Sequence, residues 1–381
     1  MLKRDIYDQE HDIFRASVRK FLEREAVPHN DAWEEAGITP KEFWRKAGEN
    51  GLLCPQVPEA YGGPGGDYRY LAVVGEELGL AGLTAANIAV HSDIVAGYVL
   101  AYGSEAHKKK YLPQMVSGDV IGAIVMTEPN TGSDLQAIRT TAIRSGDHYL
   151  LNGAKTFISN GINAGLYVVA AKTDPTKGAK GISLFLVDED LKGFEKGKRL
   201  KKLGLKGQDT AELFFTDVKL PVDALLGSEG QGFSYMMKEL PQERLSIAII
   251  AVASSQRAFD LALAYTRERK AFNQRIFDFQ NTKFVLADIK AELDAAWAYL
   301  DRCIVAHGKG ELDVPDAAAA KLWTSELQGR VVDRCLQLFG GYGYMLEYPI
   351  TRMYADARIQ RIYGGTSEIM KEIIARSLDR Q

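Results

Sequence analysis

Cysteine and histidine are both scarce in this chain. There are three cysteines, Cys54, Cys303 and Cys335, an odd number without a CxxC pair. Neither a disulfide framework nor a thiolate-bound metal is expected from them. The six histidines, His11, His29, His91, His107, His148 and His307, show no HxxxH or HExxH spacing, so a zinc or iron centre has no ligand set and no metal site is expected. Charge of one sign is missing too. Lys and Arg number 47 against 50 Asp and Glu, a formal charge of −3, which provides no field to recruit nucleic acid. Long apolar runs are also lacking: the nearest candidate, Leu245 to Ala253, contains Ser246 and falls short of the ~18 residues that span a bilayer. The start, MLKRDIYDQEHD, lacks the apolar core of a signal peptide and is too acidic for a typical transit peptide. A reducing compartment is expected: bacterial-type cytoplasm, or the mitochondrial matrix for a processed eukaryotic chain.

What is present describes a globular chain. At ~150 residues per domain, 381 residues allow two to three domains, and 46% hydrophobic with 25% charged residues is ordinary composition for a packed core. From Ile6 to about Val116 the pattern is helical: Ile13, Phe14, Val18, Phe21 and Leu22 recur at the spacing of one helix face. Between about Gly122 and Leu226 the period shortens, with runs such as AIVM, TFIS, LYVVAA, ISLFLV and ELFF broken by Gly, Asn and Asp. Asn152-Gly153 within HYLLNGAKTFIS predicts a hairpin turn, since type I′ turns favour that pair. The basic stretch from Lys192 to Lys206 predicts a loop, either simply solvated or facing an acidic ligand. After Gly232 long helices return, over roughly Pro241 to Lys270, Asn281 to His307, Ala317 to Phe339 and Ser367 to Leu378. The order predicts an α+β multidomain chain, with an N-terminal α-helical domain (1–118), a middle antiparallel β domain (119–230) and a C-terminal α-helical bundle (231–381).

Five segments concentrate glycine and short polar side chains, and each admits a bland account. Thr127 to Asp134, TEPNTGSD, is either a turn or a set of exposed N–H groups and hydroxyls at a strand end, suited to a planar heterocycle or oxyanion. Phe157-Ile158-Ser159-Asn160-Gly161 alternates as any half-buried strand does. In the third, Arg267 to Gln274, Arg269 either complements a helix dipole or clamps a phosphate. Gln337 to Tyr344, QLFGGYGY, reads first as a glycine-stopped helix. The fifth, Tyr363 to Ile369, is helix capping or a place where glycine lets the backbone approach a ligand.

The order and spacing of these five segments resemble the acyl-CoA dehydrogenase family over essentially the whole chain, and most closely its long-chain subgroup. TEPNTGSD is similar to TEPxxGSD, FISNG to W-I-T/S-N-G, RKAFNQ to R-x-x-F-G, QLFGGYGY to Q-x-x-GG-x-G, and YGGTSEIM to Y-E/G/A-G-T-x-x-I. The resemblance implies FAD-dependent oxidation of an acyl-CoA to the trans-2-enoyl-CoA, as in fatty acid β-oxidation. A base takes the α-proton while hydride leaves the β-carbon, and fixed donors stabilise the developing enolate. It implies flavin contacts from Ile124, Met126, Thr127, Gly132, Ser133, Phe157, Ser159, Arg269, Phe272, Gln280, Gln337, Gly340, Gly341, Thr366 and Glu368, some of them on a neighbouring subunit. Substrate contacts fall on Ser133, Ser234, Pro241, Arg244, Gly364 and Gly365. Phe157 stands where tryptophan is usual, and Asn130 and Asn273 where glycine is common.

Gly364 is the informative departure, because many members carry the catalytic glutamate there. Long-chain and isovaleryl-type members place it instead at the start of the first C-terminal helix, just before an arginine. Leu240-Pro241-Gln242-Glu243-Arg244-Leu245 resembles that pattern, so the catalytic pair is expected to be Glu243, as base, and Gly364, whose N–H receives the thioester oxygen. Burial would raise the Glu243 pKa, whereas a helix start and Arg244 would lower it. An electron-transfer flavoprotein is the implied acceptor and a homotetramer, a dimer of dimers, the implied assembly. Still open are an acyl-CoA oxidase, a nitroalkane oxidase or a flavin monooxygenase on the same scaffold, and a non-catalytic binder, which would have no need of Glu243. A medium, long or branched acyl group is expected.

Overall fold

The apolar stripe read near the N-terminus forms α1 (Gln9–Glu25), which buries Val18, Phe21 and Leu22. Ile13 is 65% exposed. At about 100° per residue it lies roughly 140° round the helix from Val18, off the stripe where the simple spacing had placed it. The structure, a computed structural model, describes residues 4–83 and 85–379. Short helices α2 (Asn30–Ala36) and α3 (Lys41–Glu49) precede α4 (Tyr68–Ala81), α5 (Ala96–Tyr102) and α6 (Glu105–Ser117). Ser104 starts α6 by accepting the His107 N–H at 3.2 Å, and Gly118 ends it with φ of 77°.

The middle of the chain forms an eight-stranded sheet: β1 (Gly122–Val125), β2 (Thr141–Ser145), β3 (His148–Ser159), β4 (Leu166–Lys172), β5 (Ile182–Asp188), β6 (Phe194–Arg199), β7 (Thr210–Pro221) and β8 (Leu225–Leu226). Its order is β6-β7-β3-β2-β4-β5-β8, and β1 pairs β4. Most pairs are antiparallel, but β1 runs parallel to β4, as β2 does at Thr141 and Lys172. Two local expectations are corrected. The hairpin turn is Gly146-Asp147, bracketed by the Ser145–His148 pair, and Asn152-Gly153 lies inside β3 at a break in register with β7. There Asn152 bonds across to Asp217, accepting its N–H at 2.8 Å and donating to Oδ1 at 3.1 Å. Gly153 is needed because a Cβ would sit 2.4 Å from Thr140 Oγ1. The basic stretch also begins as a strand: β6 covers Phe194 to Arg199, and only the remainder is loop.

The C-terminal helices are α7 (Gly232–Glu268), α8 (Gln280–Gly308), α9 (Val314–Leu338), α10 (Pro349–Ala357) and α11 (Ser367–Leu378). Between α7 and α8 stands a small hairpin, β9 (Lys270–Ala271) and β10 (Gln274–Arg275), turned by Phe272 and Asn273 at φ of 52° and 62°. The spine is α7. It starts at Gly232, ahead of the expected Pro241, and continues through that proline, which leaves the Met237 carbonyl without its i+4 donor. Helix α7 contains an 18-residue stretch apolar enough by composition to cross a bilayer, with mean hydropathy 1.4. Its apolar side chains instead pack into a protein core: Leu245, Ala248, Ile249 and Val252 join Leu71 and Ala72 of α4 and Leu293 and Trp297 of α8. Helix α4 ties two cores together, since Val73, Val74 and Leu78 pack on the N-terminal side.

Candidate active site

The loop after β1 carries TEPNTGSD and is held by a buried ion pair. Lys155 on β3 puts Nζ 2.9 Å from Glu128 Oε1 and 2.9 Å from the Met126 carbonyl. Glu128 also accepts the Arg139 and Thr140 N–H groups at 2.6 and 2.9 Å. Burial alone would raise the Glu128 pKa, but Lys155 and these donors outweigh it and hold the carboxyl below its usual range. The same burial pushes Lys155 down to about 8. Thr156 N–H donates to Thr127 O at 3.0 Å, which joins loop to strand. The motifs did not single out Lys155 for this role, since β3 also carries His148, Asn152, Thr156 and Ser159 and one more polar residue does not stand out.

Two residues farther on, Phe157 adopts φ of 59° and exposes 67% of its surface. Positive φ costs a non-glycine residue roughly 1–2 kcal/mol, a strain kept where the surroundings impose it and concentrated at functional sites. Phe157 and Ser159 border a cavity of about 360 Å³ with Ile124, Met126, Thr127, Gly132 and Ser133 on the sheet side. Its opposite wall comes from α7, through Glu243 and Arg244, and from the loop before α11, through Gly364 and Gly365. A Cβ added at Gly132 would meet nothing within 4 Å, so this backbone borders open space.

Glu243 is only 8% exposed and receives a single hydrogen bond among the described residues, from Tyr98 Oη at 3.3 Å. Burial pushes its carboxyl up to about 7, against the Tyr98 bond and Arg244. Because α7 begins at Gly232, Glu243 is not in a first helical turn and the opposing dipole expected from sequence does not act on it. Gly364 has φ of 64°, and a Cβ there would lie 2.4 Å from Cδ1 of Ile247, one turn after Glu243. Thus the glycine and the glutamate face the same cavity. Arg244 is 3% exposed, and its Nε and Nη1 have no hydrogen-bond partner among the described residues. Such a buried guanidinium needs an acceptor. Lys321 on α9 fixes the Gly364-Gly365 loop by donating to Gly365 O at 2.7 Å.

A second, more open groove of about 730 Å³ gathers Arg269, Gln337, Gly340 and Gly341 with Tyr342. It shares no lining residue with the first cavity. The remaining sequence candidates border neither. Phe272 is 90% exposed at the β9–β10 turn, Gln280 is the first residue of α8, and Ser234 is exposed in the first turn of α7. Pro241 is half-buried inside α7. Thr366 caps α11 by accepting the Ile369 N–H at 3.3 Å, which is the capping account of that motif, and Glu368 is exposed in that helix's first turn.

Comparison with known proteins matches residues 8–119, 123–218 and 230–378 to the acyl-CoA dehydrogenase N-terminal, middle and C-terminal domains. The chain is 50% identical over 377 residues to the long-chain specific acyl-CoA dehydrogenase, mitochondrial, of Sus scrofa, covering 98% of this chain and 88% of that one. It is 38% identical to the short-chain specific acyl-CoA dehydrogenase of Clostridium acetobutylicum, covering 98% of each. The crystal structure of an acyl-CoA dehydrogenase from Geobacillus kaustophilus superposes with a TM-score of 0.97 at 49% identity, covering 99% of this chain and 100% of that one. The chain therefore belongs to the acyl-CoA dehydrogenase family of FAD-dependent oxidoreductases, and its three-part fold is that family's fold.

Proposed function

We propose that this protein converts a medium- or long-chain, or branched, acyl-CoA to its trans-2-enoyl-CoA with Glu243 as the base. One observation carries the reading: a buried carboxyl raised to about 7 lines the same cavity as Gly364, the position left without an acid. A pKa near the working pH gives a base that is partly ionised yet strong enough to take a carbon-bound proton. The Gly364 N–H is the donor assigned to the thioester oxygen, where fixed dipoles favour the developing enolate. Arg244, whose buried Nε and Nη1 have no hydrogen-bond partner among the described residues, supplies a cation to polar atoms of the substrate. The apolar wall that includes Phe233, Met237, Leu240 and Ile250 receives the acyl chain.

Ile124 to Ser133 together with Phe157 and Ser159 would hold FAD, which when bound would supply the acceptor for the hydride from Cβ. The residues fit a planar heterocycle: an exposed aromatic, a glycine bordering open space and a loop pinned by Lys155. Arg269, Phe272, Gln280, Gln337, Gly340 and Gly341 lie apart from that cavity, which supports a second copy of the chain completing the nucleotide site, within a dimer of dimers. Three free buried cysteines suit the reducing interior of a bacterial cytoplasm or mitochondrial matrix. An electron-transfer flavoprotein is the proposed electron acceptor.

The test is anaerobic mixing with acyl-CoAs from four to eighteen carbons, following flavin bleaching and the enoyl product. Fastest reduction with the longer or branched chains, and a loss of ~10²–10⁴-fold in Glu243→Gln, is the expected result. Near-normal reduction in that variant removes Glu243 from the reaction. Stoichiometric hydrogen peroxide in air would make the protein an oxidase instead.

A further inference from the structure

Helix α5 presents two tyrosines one turn apart, Tyr98 and Tyr102, and α7 presents two glutamates one turn apart, Glu239 and Glu243. They meet in register. Tyr98 Oη donates to Glu243 Oε1 at 3.3 Å, and Tyr102 Oη donates to Glu239 Oε1 at 2.7 Å. Tyr98 is fully buried, and Tyr102 is stacked on Tyr235 of α7 with ring centroids 3.9 Å apart. Spacing of four on both helices is what allows two such contacts to form side by side. Resting on the reading of Glu243 as base, we infer that Tyr98 is a positioning residue that fixes the Glu243 carboxylate toward the acyl-CoA α-carbon, and that the Tyr102–Glu239 pair tunes it from one turn away.

The physical case has three parts. Glu243 Oε2 has no partner among the described residues, so the Tyr98 bond alone orients the carboxylate through Oε1. The bond is long for a hydroxyl and a carboxylate, yet it restrains the group and holds its basicity below what burial alone would give. Glu239, half-buried with its own pKa raised, adds a negative charge that raises Glu243, whereas the Tyr98 bond lowers it. The other ionisable groups facing this stretch include Lys238 and Arg244 on α7, Asp93 before α5, Asp134 after β1, His307 on α8, Lys321 on α9 and Tyr363 before α11. Tyr98→Phe and Glu239→Gln leave all of these unchanged.

The two variants make opposite predictions. Rate rises with pH as Glu243 ionises, so losing the Tyr98 donor should move the acid limb of the kcat/KM profile for palmitoyl-CoA upward by about one pH unit, a tenfold loss on that limb. Phe retains the ring in a buried site, so the flavin spectrum of the holoenzyme should persist. A residual deficit in flavin reduction at pH 9, where Glu243 is ionised in both proteins, reports the lost orientation. Glu239→Gln should move the limb downward and raise activity at pH 6. Superimposable profiles, or shifts of the same sign, overturn the inference even if Glu243→Gln is inactive. If Glu243→Gln keeps its activity, the reading of the base fails first.

Discussion

Glu243 should weaken the fold that holds it, and the size of that effect can be worked out. A free glutamate in the unfolded chain titrates near 4.5, and burial in the folded protein raises Glu243 to about 7. The sign follows from proton counting. Between these values the folded state keeps a proton that the unfolded state has released, so stability falls as pH rises through the window. A difference of roughly 2.5 pH units at 1.36 kcal/mol each gives about 3 kcal/mol of lost stability by pH 8. Glu243→Gln abolishes this titration and keeps an oxygen to accept from Tyr98. Whatever the amide costs in packing is constant with pH, so the difference between the two proteins isolates the carboxylate. The stability of Glu243→Gln minus that of the parent should rise by about 3 kcal/mol from pH 4.5 to pH 8. For a chain of this length unfolding as one unit, that is roughly 4 °C in thermal midpoint. Parallel stability curves across that range would refute the buried, raised carboxyl, and with it the claim that a strained acid is kept there for catalysis.

Two further outcomes test the supports of the cavity. Lys155→Met should leave Glu128 buried without its cation at a cost of ~3–5 kcal/mol, and should lower FAD content as read from the ratio of flavin to protein absorbance; full flavin retention would show that the β1 loop holds its shape without the pair. Gly364→Ala should cost about 1–2 kcal/mol for an alanine at positive φ and, in addition, a clash with Ile247 Cδ1, which stands where the new Cβ points; only the clash is recovered in an Ile247→Ala background. A double-mutant cycle by denaturant unfolding measures that recovery, and strict additivity of the two substitutions contradicts the contact.

The two halves of the chemistry were legible to different degrees, for physical reasons. Helix-then-sheet-then-helix order shows in the sequence because burial imposes a period of 3.6 on residues such as Val18 to Leu22 and makes a strand buried on both faces, such as Leu166 to Ala171, a short continuous apolar run. Turn identity is less visible. Asn152-Gly153 and Gly146-Asp147 both satisfy hairpin chemistry, and the choice depended on the long-range pairing of Asn152 with Asp217 and the approach of Thr140 to Gly153. Pro241 suggested a helix start by local preference, yet buried contacts along α7 outweighed one missing backbone bond, and that changed the electrostatics of Glu243 two residues later. The motifs named candidate ligand contacts. They were silent about Tyr98, Lys155, Ile247 and Lys321, which act on those groups through space. Each of the four comes from a different element and meets its partner only through tertiary packing, so spacing along the chain cannot reveal it. A vacant acid position at 364 and a glutamate at 243 are likewise distant in sequence. They meet because Gly364 packs against Ile247, one turn after Glu243, so that all three line the same cavity.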